Sequence, residues 1–101
     1  MTHENYLVTI NIPTSLEEAM VDCLLSFENY QGFSSFPVAA YNHRNQGLSL
    51  AEQVYGRQRK IGFQMYADKK TIAALLTQLK ADFSGTGLQY WVAPIIERGE
   101  I

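Results

Sequence analysis

KIGFQMYADKKTIAALLTQLKADFSGTGLQYWVAPII, residues 60–96, holds a strand, a helix, a turn and another strand in succession. From Lys60 to Tyr66, the residues Ile61, Phe63 and Met65 alternate with Gly62, Gln64 and Tyr66, the two-residue period of a strand with one face on a core. Asp68 stands where a helix N-cap belongs, and Ile72, Leu75, Leu76, Leu79 and Phe83 recur at helical spacing along one face. Ser84-Gly85-Thr86-Gly87 ends that helix, and Leu88 to Ile96 reads as the strand that follows.

The first half of the chain repeats the order. Residues 6–12, YLVTINI, set Tyr6, Val8, Ile10 and Ile12 against Leu7, Thr9 and Asn11. Pro13 stops this strand. Thr14 and Ser15 each have an acid three residues on, Glu17 and Glu18, as in a capping box, and the spacing predicts a helix from there to about Glu28. Its apolar stripe is Leu16, Ala19, Met20, Cys23, Leu24 and Phe27, which makes Cys23 an inert core thiol. Phe33 to Tyr41, FSSFPVAAY, is a further strand, and Pro37 confines it to a sheet edge.

The resulting order of strand, helix, strand, strand, helix, strand is that of an α+β ferredoxin-like βαββαβ fold. It implies a four-stranded antiparallel sheet with both helices on one face, the second and fourth strands at the edges, and a single domain over residues 1–101. The other sheet face is left without a helix and carries Leu7, Thr9, Asn11, Gly62, Gln64, Tyr66 and Trp91. Only Glu97 to Ile101 follow the last strand, so the expected cover is a second copy of the chain.

A chain of 101 residues supports one core. With 47% hydrophobic and 18% charged residues it does not have the composition of a disordered chain. No apolar run approaches the roughly 20 residues that span a bilayer. The start MTHENYLV lacks a signal peptide's basic flank, so the expected location is the cytoplasm without membrane insertion. One cysteine, Cys23, makes neither an internal disulfide nor a thiolate cluster. A net charge of −2 argues against a nucleic-acid partner.

Charge is unevenly spread. Residues 1–42 carry Glu4, Glu17, Glu18, Asp22 and Glu28 and no Lys or Arg, whereas residues 43–60 carry Arg44, Arg57, Arg59 and Lys60 against Glu52. The link between strands two and three, residues 42–59, is far longer than the 2–5 residues of an ordinary hairpin. Within it, Ser49 with Glu52 forms a capping box, Leu50 and Val54 lie one turn apart, and Gly56 is a helix stop. A short helix followed by Arg57-Gln58-Arg59-Lys60 is expected.

Guanidinium forks bind phosphate or carboxylate in bidentate fashion, so Arg57, Arg59 and Lys60 are candidate ligands for a small anion. The backbone around Gly85 and Gly87 can cradle such an anion as well. A solvated strand entry and a simple chain reversal are the alternative readings of these two features. Arg44, Leu50, Val54 and Tyr55 are candidates for the part of the arm that meets a protein target. No serine has an evident histidine partner, and neither paired carboxylates nor a P-loop occurs, which points away from an enzyme. His43 has no second ligand near it, so no metal site within the chain and no cofactor is assigned.

The element order, the long arm, the glycine-rich turn and the ending Tyr90-Trp91-Val92-Ala93-Pro94-Ile95-Ile96-Glu97-Arg98-Gly99-Glu100 resemble nitrogen-regulatory PII proteins and their PII-like relatives. Gly47-Leu48-Ser49-Leu50-Ala51-Glu52-Gln53-Val54 with Gly56-Arg57-Gln58-Arg59 is similar to a small PII-like family often encoded beside heavy-metal efflux pumps. The resemblance implies a homotrimer with its sheets lining the interior. Residues 42–59 would then be a signalling T-loop and residues 84–87 the B-loop of a cleft between subunits. It further implies a regulatory role in the manner of PII and divalent-cation-tolerance proteins, with a link to metal efflux. Leu88 and Gln89 follow Gly87 where PII proteins carry nucleotide-binding basic residues, which leaves the ligand's identity open. An alternative resemblance is to RNA-recognition modules, which share the element order. Arg59-Lys60-Ile61-Gly62-Phe63-Gln64-Met65-Tyr66 partly matches their third-strand signature, with Ile61 in place of an aromatic.

Overall fold

The computed structural model describes residues 5–27, 32–41 and 57–101. Its strands are β1 (Asn5–Pro13), β2 (Ser34–Tyr41), β3 (Arg57–Asp68) and β4 (Gln89–Pro94), and its helices are α1 (Glu17–Ser26) and α2 (Lys69–Asp82). The sheet order is β2-β3-β1-β4, with every neighbouring pair antiparallel. This is the expected ferredoxin-like βαββαβ arrangement, with Pro37 and Pro94 on the edge strands. Neither proline can donate to a ladder, and an edge is where that costs least.

Both helices press on one sheet face. The core joins Val8, Ile10 and Ile12 of β1 and Phe63 and Met65 of β3 to Met20, Leu24, Leu75, Leu79 and Phe83. Burying a side chain of this size contributes about 1.5–3 kcal/mol before ordering costs are subtracted. Cys23 packs against the same cluster, and its thiol pKa is raised, first by burial and then by the negative charge of Asp82. No described helix is long and apolar enough to cross a membrane.

The two helices start differently. Asp68 caps α2 as its sequence suggests, its Oδ1 accepting a hydrogen bond from the Thr71 amide at 2.8 Å. The boxes expected at Thr14 and Ser15 do not form, and the N-cap residue of α1, Leu16, makes no side-chain capping bond. Pro13 leads instead into a 3-10 turn over Thr14–Leu16, and the Glu17 amide is satisfied by the Thr14 carbonyl. At the other end, Ser26 Oγ donates to the Cys23 carbonyl at 2.6 Å, and α1 stops there, short of Glu28. Ala19, placed in the apolar stripe by spacing, is exposed.

Strand β3 is longer than its alternation alone indicates. It begins at Arg57, so residues 57–59 belong to a strand and not to the link. They pair with Tyr41, Ala40 and Ala39, because β2 extends far enough to give their backbone groups partners. The short helix expected within residues 49–56 lies outside the described residues.

Candidate functional site

Register fixes which side chains stand on the helix-free face. From β1 they are Leu7, Thr9 and Asn11; opposite them on β3 are Tyr66, Gln64 and Gly62, and on β4 Ala93, Trp91 and Gln89. From β2, Phe36 faces Gly62 and Val38 faces Lys60. The polar groups lie along the middle of this face. Thr9 is buried, and its hydroxyl accepts a long hydrogen bond from Gln64 Nε2 at 3.4 Å. Asn11 Oδ1 is buried with no hydrogen-bond partner among the described residues. Lys60 is only 8% exposed, although it is a cation on a face that no described helix covers. A buried acceptor left unpaired costs about 1–3 kcal/mol.

Apolar groups flank that strip. Trp91 is 50% exposed. The ring of Phe36 lies over Gly62 so closely that a Cβ there would collide with it, which explains a glycine inside a strand. The C-terminal residues reach the face at one end only: Arg98 stacks on the Tyr66 ring at 4.1 Å and donates to the Tyr66 hydroxyl at 3.0 Å. The composition of this face was legible in the alternation of β1 and β3. The orphaned Asn11 oxygen and the Arg98 clasp were not, since both depend on what lies across the register.

The candidate anion ligands do not converge within one chain. Strand alternation puts Lys60 on the open face and Arg57 and Arg59 on the opposite one. Gly85 and Gly87 take left-handed conformations, with φ of 79° and 83°, in the turn that leads into β4. Thr86 Oγ1 donates to the Phe83 carbonyl there at 2.6 Å. This turn lies at the same end of the sheet as the basic run, since Asn11 pairs with Gln89 and Pro13 with Lys60. β1 nevertheless stands between β3 and β4. A groove of about 190 Å³ adjoins the turn, lined by Leu76, Leu79, Lys80, Phe83, Ser84, Gly85, Gly87, Leu88 and Tyr90. Arg44, Leu50, Val54 and Tyr55 lie outside the described residues, as does His43. Among the described residues, no three His, Cys, Asp or Glu side chains gather where they could hold a metal ion.

The RNA-recognition alternative requires stacking groups on the open face at the positions of Ile61 and Phe63. Register turns both to the helices, and Phe63 is 1% exposed in the core. The partial signature is therefore a core strand, and the stacking platform it suggested is absent from the described β3.

Residues 2–101 match the family described as Protein of unknown function (DUF3240). No curated protein matches the chain. Among solved structures, it is similar to a DUF3240 family protein from Shewanella baltica, with 25% identity, a TM-score of 0.75, and coverage of 100% of this chain and 99% of that one. It is also similar in fold to a PII-like signaling protein from Thermus thermophilus, at 15% identity and a TM-score of 0.68 over 91% of this chain and 87% of that one. A third likeness of fold is to CPII, a nitrogen regulatory PII-like protein from Thiomonas intermedia bound to ADP, AMP and bicarbonate. There the identity is 13% and the TM-score 0.70, over 96% of this chain and 97% of that one.

Proposed function

The chain belongs to the family described as proteins of unknown function, DUF3240, and from that premise we propose that it acts by binding and not by catalysis, as a PII-like regulatory subunit in a cytoplasmic homotrimer. The observation that carries this reading is the open sheet face, which holds a buried Asn11 oxygen with no hydrogen-bond partner among the described residues and a half-exposed Trp91. Such a face is stabilised by a partner that brings both donors and apolar area. In the proposed trimer the sheets line the interior.

The clefts between subunits then take a small anionic ligand. Arg57 and Arg59 of one copy approach Gly85 and Gly87 of the next, groups that β1 separates within a single chain, while Lys60, on the other sheet face, stands apart from them. Splitting a site between copies couples ligand binding to assembly. Residues 42–56, with Arg44, Leu50, Val54 and Tyr55, form the arm that reports occupancy to a protein target, and heavy-metal efflux is the process it would regulate. The adenine nucleotides and bicarbonate bound by CPII are the ligand classes to try first.

Native mass spectrometry with calorimetric titration of ADP, AMP and bicarbonate tests this reading. The expected result is a trimer that binds at least one of the three saturably, weakened about tenfold or more by Arg57→Ala with Arg59→Ala, the scale of a lost charged hydrogen bond. A monomer indifferent to all three would overturn it.

A further inference from the structure

The helices differ in charge. α1 carries Glu17, Glu18 and Asp22 and no basic residue, whereas α2 carries Lys69, Lys70 and Lys80 against Asp82. The placement of these charges follows from the packing. Cys23 packs against the core to which α2 contributes Leu75 and Leu79, and the charge of Asp82 helps to raise its thiol pKa, so the Cys23 side of α1 is the one turned towards α2. Glu18, Asp22 and Leu25, spaced i, i+4, i+7, lie on another side of α1, turned from the buried Met20 and Leu24, and are exposed, Leu25 by 67%. On α2, the stripe Lys69, Ala73, Leu76 and Lys80 runs beside β4. It borders an apolar groove whose other walls are Tyr6, Ile72 and Val92.

Resting on the ring proposed above, we propose that the acidic and apolar stripe of α1 in one copy seats against the lysine-flanked groove between α2 and β4 of the next. The two surfaces are unlike and lie on opposite flanks of the sheet, the requirement for a head-to-tail contact that closes into a ring. Their levels match. α1 starts at the end of the sheet where β1 finishes, and α2 finishes at that same end, so Glu18 and Asp22 stand level with Lys80. Leu25 stands level with the groove beside Tyr6 and Val92, at the other end. The occupant is a second copy, because the charges of α1 complement those of α2 and the apolar residue falls where the groove is apolar. The seam runs alongside the glycine turn, which Lys80 also borders.

Sedimentation velocity of the full chain, with circular dichroism to confirm folding, tests this contact. Glu18→Lys with Asp22→Lys sets cations against Lys80 and is expected to raise the subunit dissociation constant at least about tenfold, as like charges across an interface do. Adding Lys80→Glu to that pair restores a large part of the assembly. An oligomer indifferent to Glu18→Lys with Asp22→Lys, or one that Lys80→Glu does not rescue, overturns the seam and leaves the trimer standing. A wild-type chain that stays monomeric overturns both.

Discussion

Gly62 sits in the middle of β3 under the ring of Phe36, and the pair shows how a single position can depend on its neighbour across the sheet. Glycine weakens a strand through backbone entropy, by about 0.5–1 kcal/mol relative to alanine. Gly62→Ala removes that entropic penalty but pushes the Phe36 ring off the sheet, and overpacking of this kind costs about 1–3 kcal/mol. The expected outcome is a lower urea midpoint at unchanged slope. In the double variant with Phe36→Ala, the alanine at position 62 is neutral or stabilising. Equal effects in both backgrounds would mean the ring exerts no control over that position. Adjacent basic residues behave as differently as this pair is coupled: Arg59 and Lys60 are neighbours in sequence and stand on opposite faces. The alternation of Ile61, Phe63 and Met65 already implied this split, and it is the signal that could have separated Lys60 from the two arginines.

Elements reveal where local signals suffice. Asp68 caps α2 through a bond to the Thr71 amide, and α2 then opens with Lys69 and Lys70 and no acid in its first turn, against the preference of the helix dipole. Asp68, at the cap itself, therefore supplies a negative charge at that end. Asp68→Ala is expected to cost about 1 kcal/mol or somewhat more, read as a fall in thermal midpoint, with Asp68→Asn recovering most of it because the amide oxygen still caps. Equal losses in the two variants would assign the effect to charge alone. α1 shows the opposite case. Thr14 and Ser15 have the residues of a capping box, but Pro13 sends the chain into a 3-10 turn that satisfies the Glu17 amide through backbone instead. The start of β3 at Arg57 likewise depends on how far β2 extends, a property of the partner strand.

Across the molecule as a whole, Trp91 is the chain's one tryptophan and lies half exposed on the open face. Assembly through that face should shift its emission to shorter wavelength as protein concentration rises and reverse on dilution. Assembly that leaves the emission unchanged would place the contact elsewhere. The element order, the edge positions of the proline-bearing strands and the list of residues on the helix-free face could all be read from the order of residues alone. Those features follow from periods of two and 3.6 residues and from proline's missing N–H, all of which act locally. Other relations came into view only with the folded chain: Asn11 Oδ1 lacks a partner among the described residues, Arg98 clasps Tyr66, and β1 separates the basic run from the glycine turn. Folding also set the acidic helix and the basic helix on opposite flanks of one sheet. These relations depend on register and strand order, which are fixed by pairing between segments tens of residues apart, where no local period carries the information.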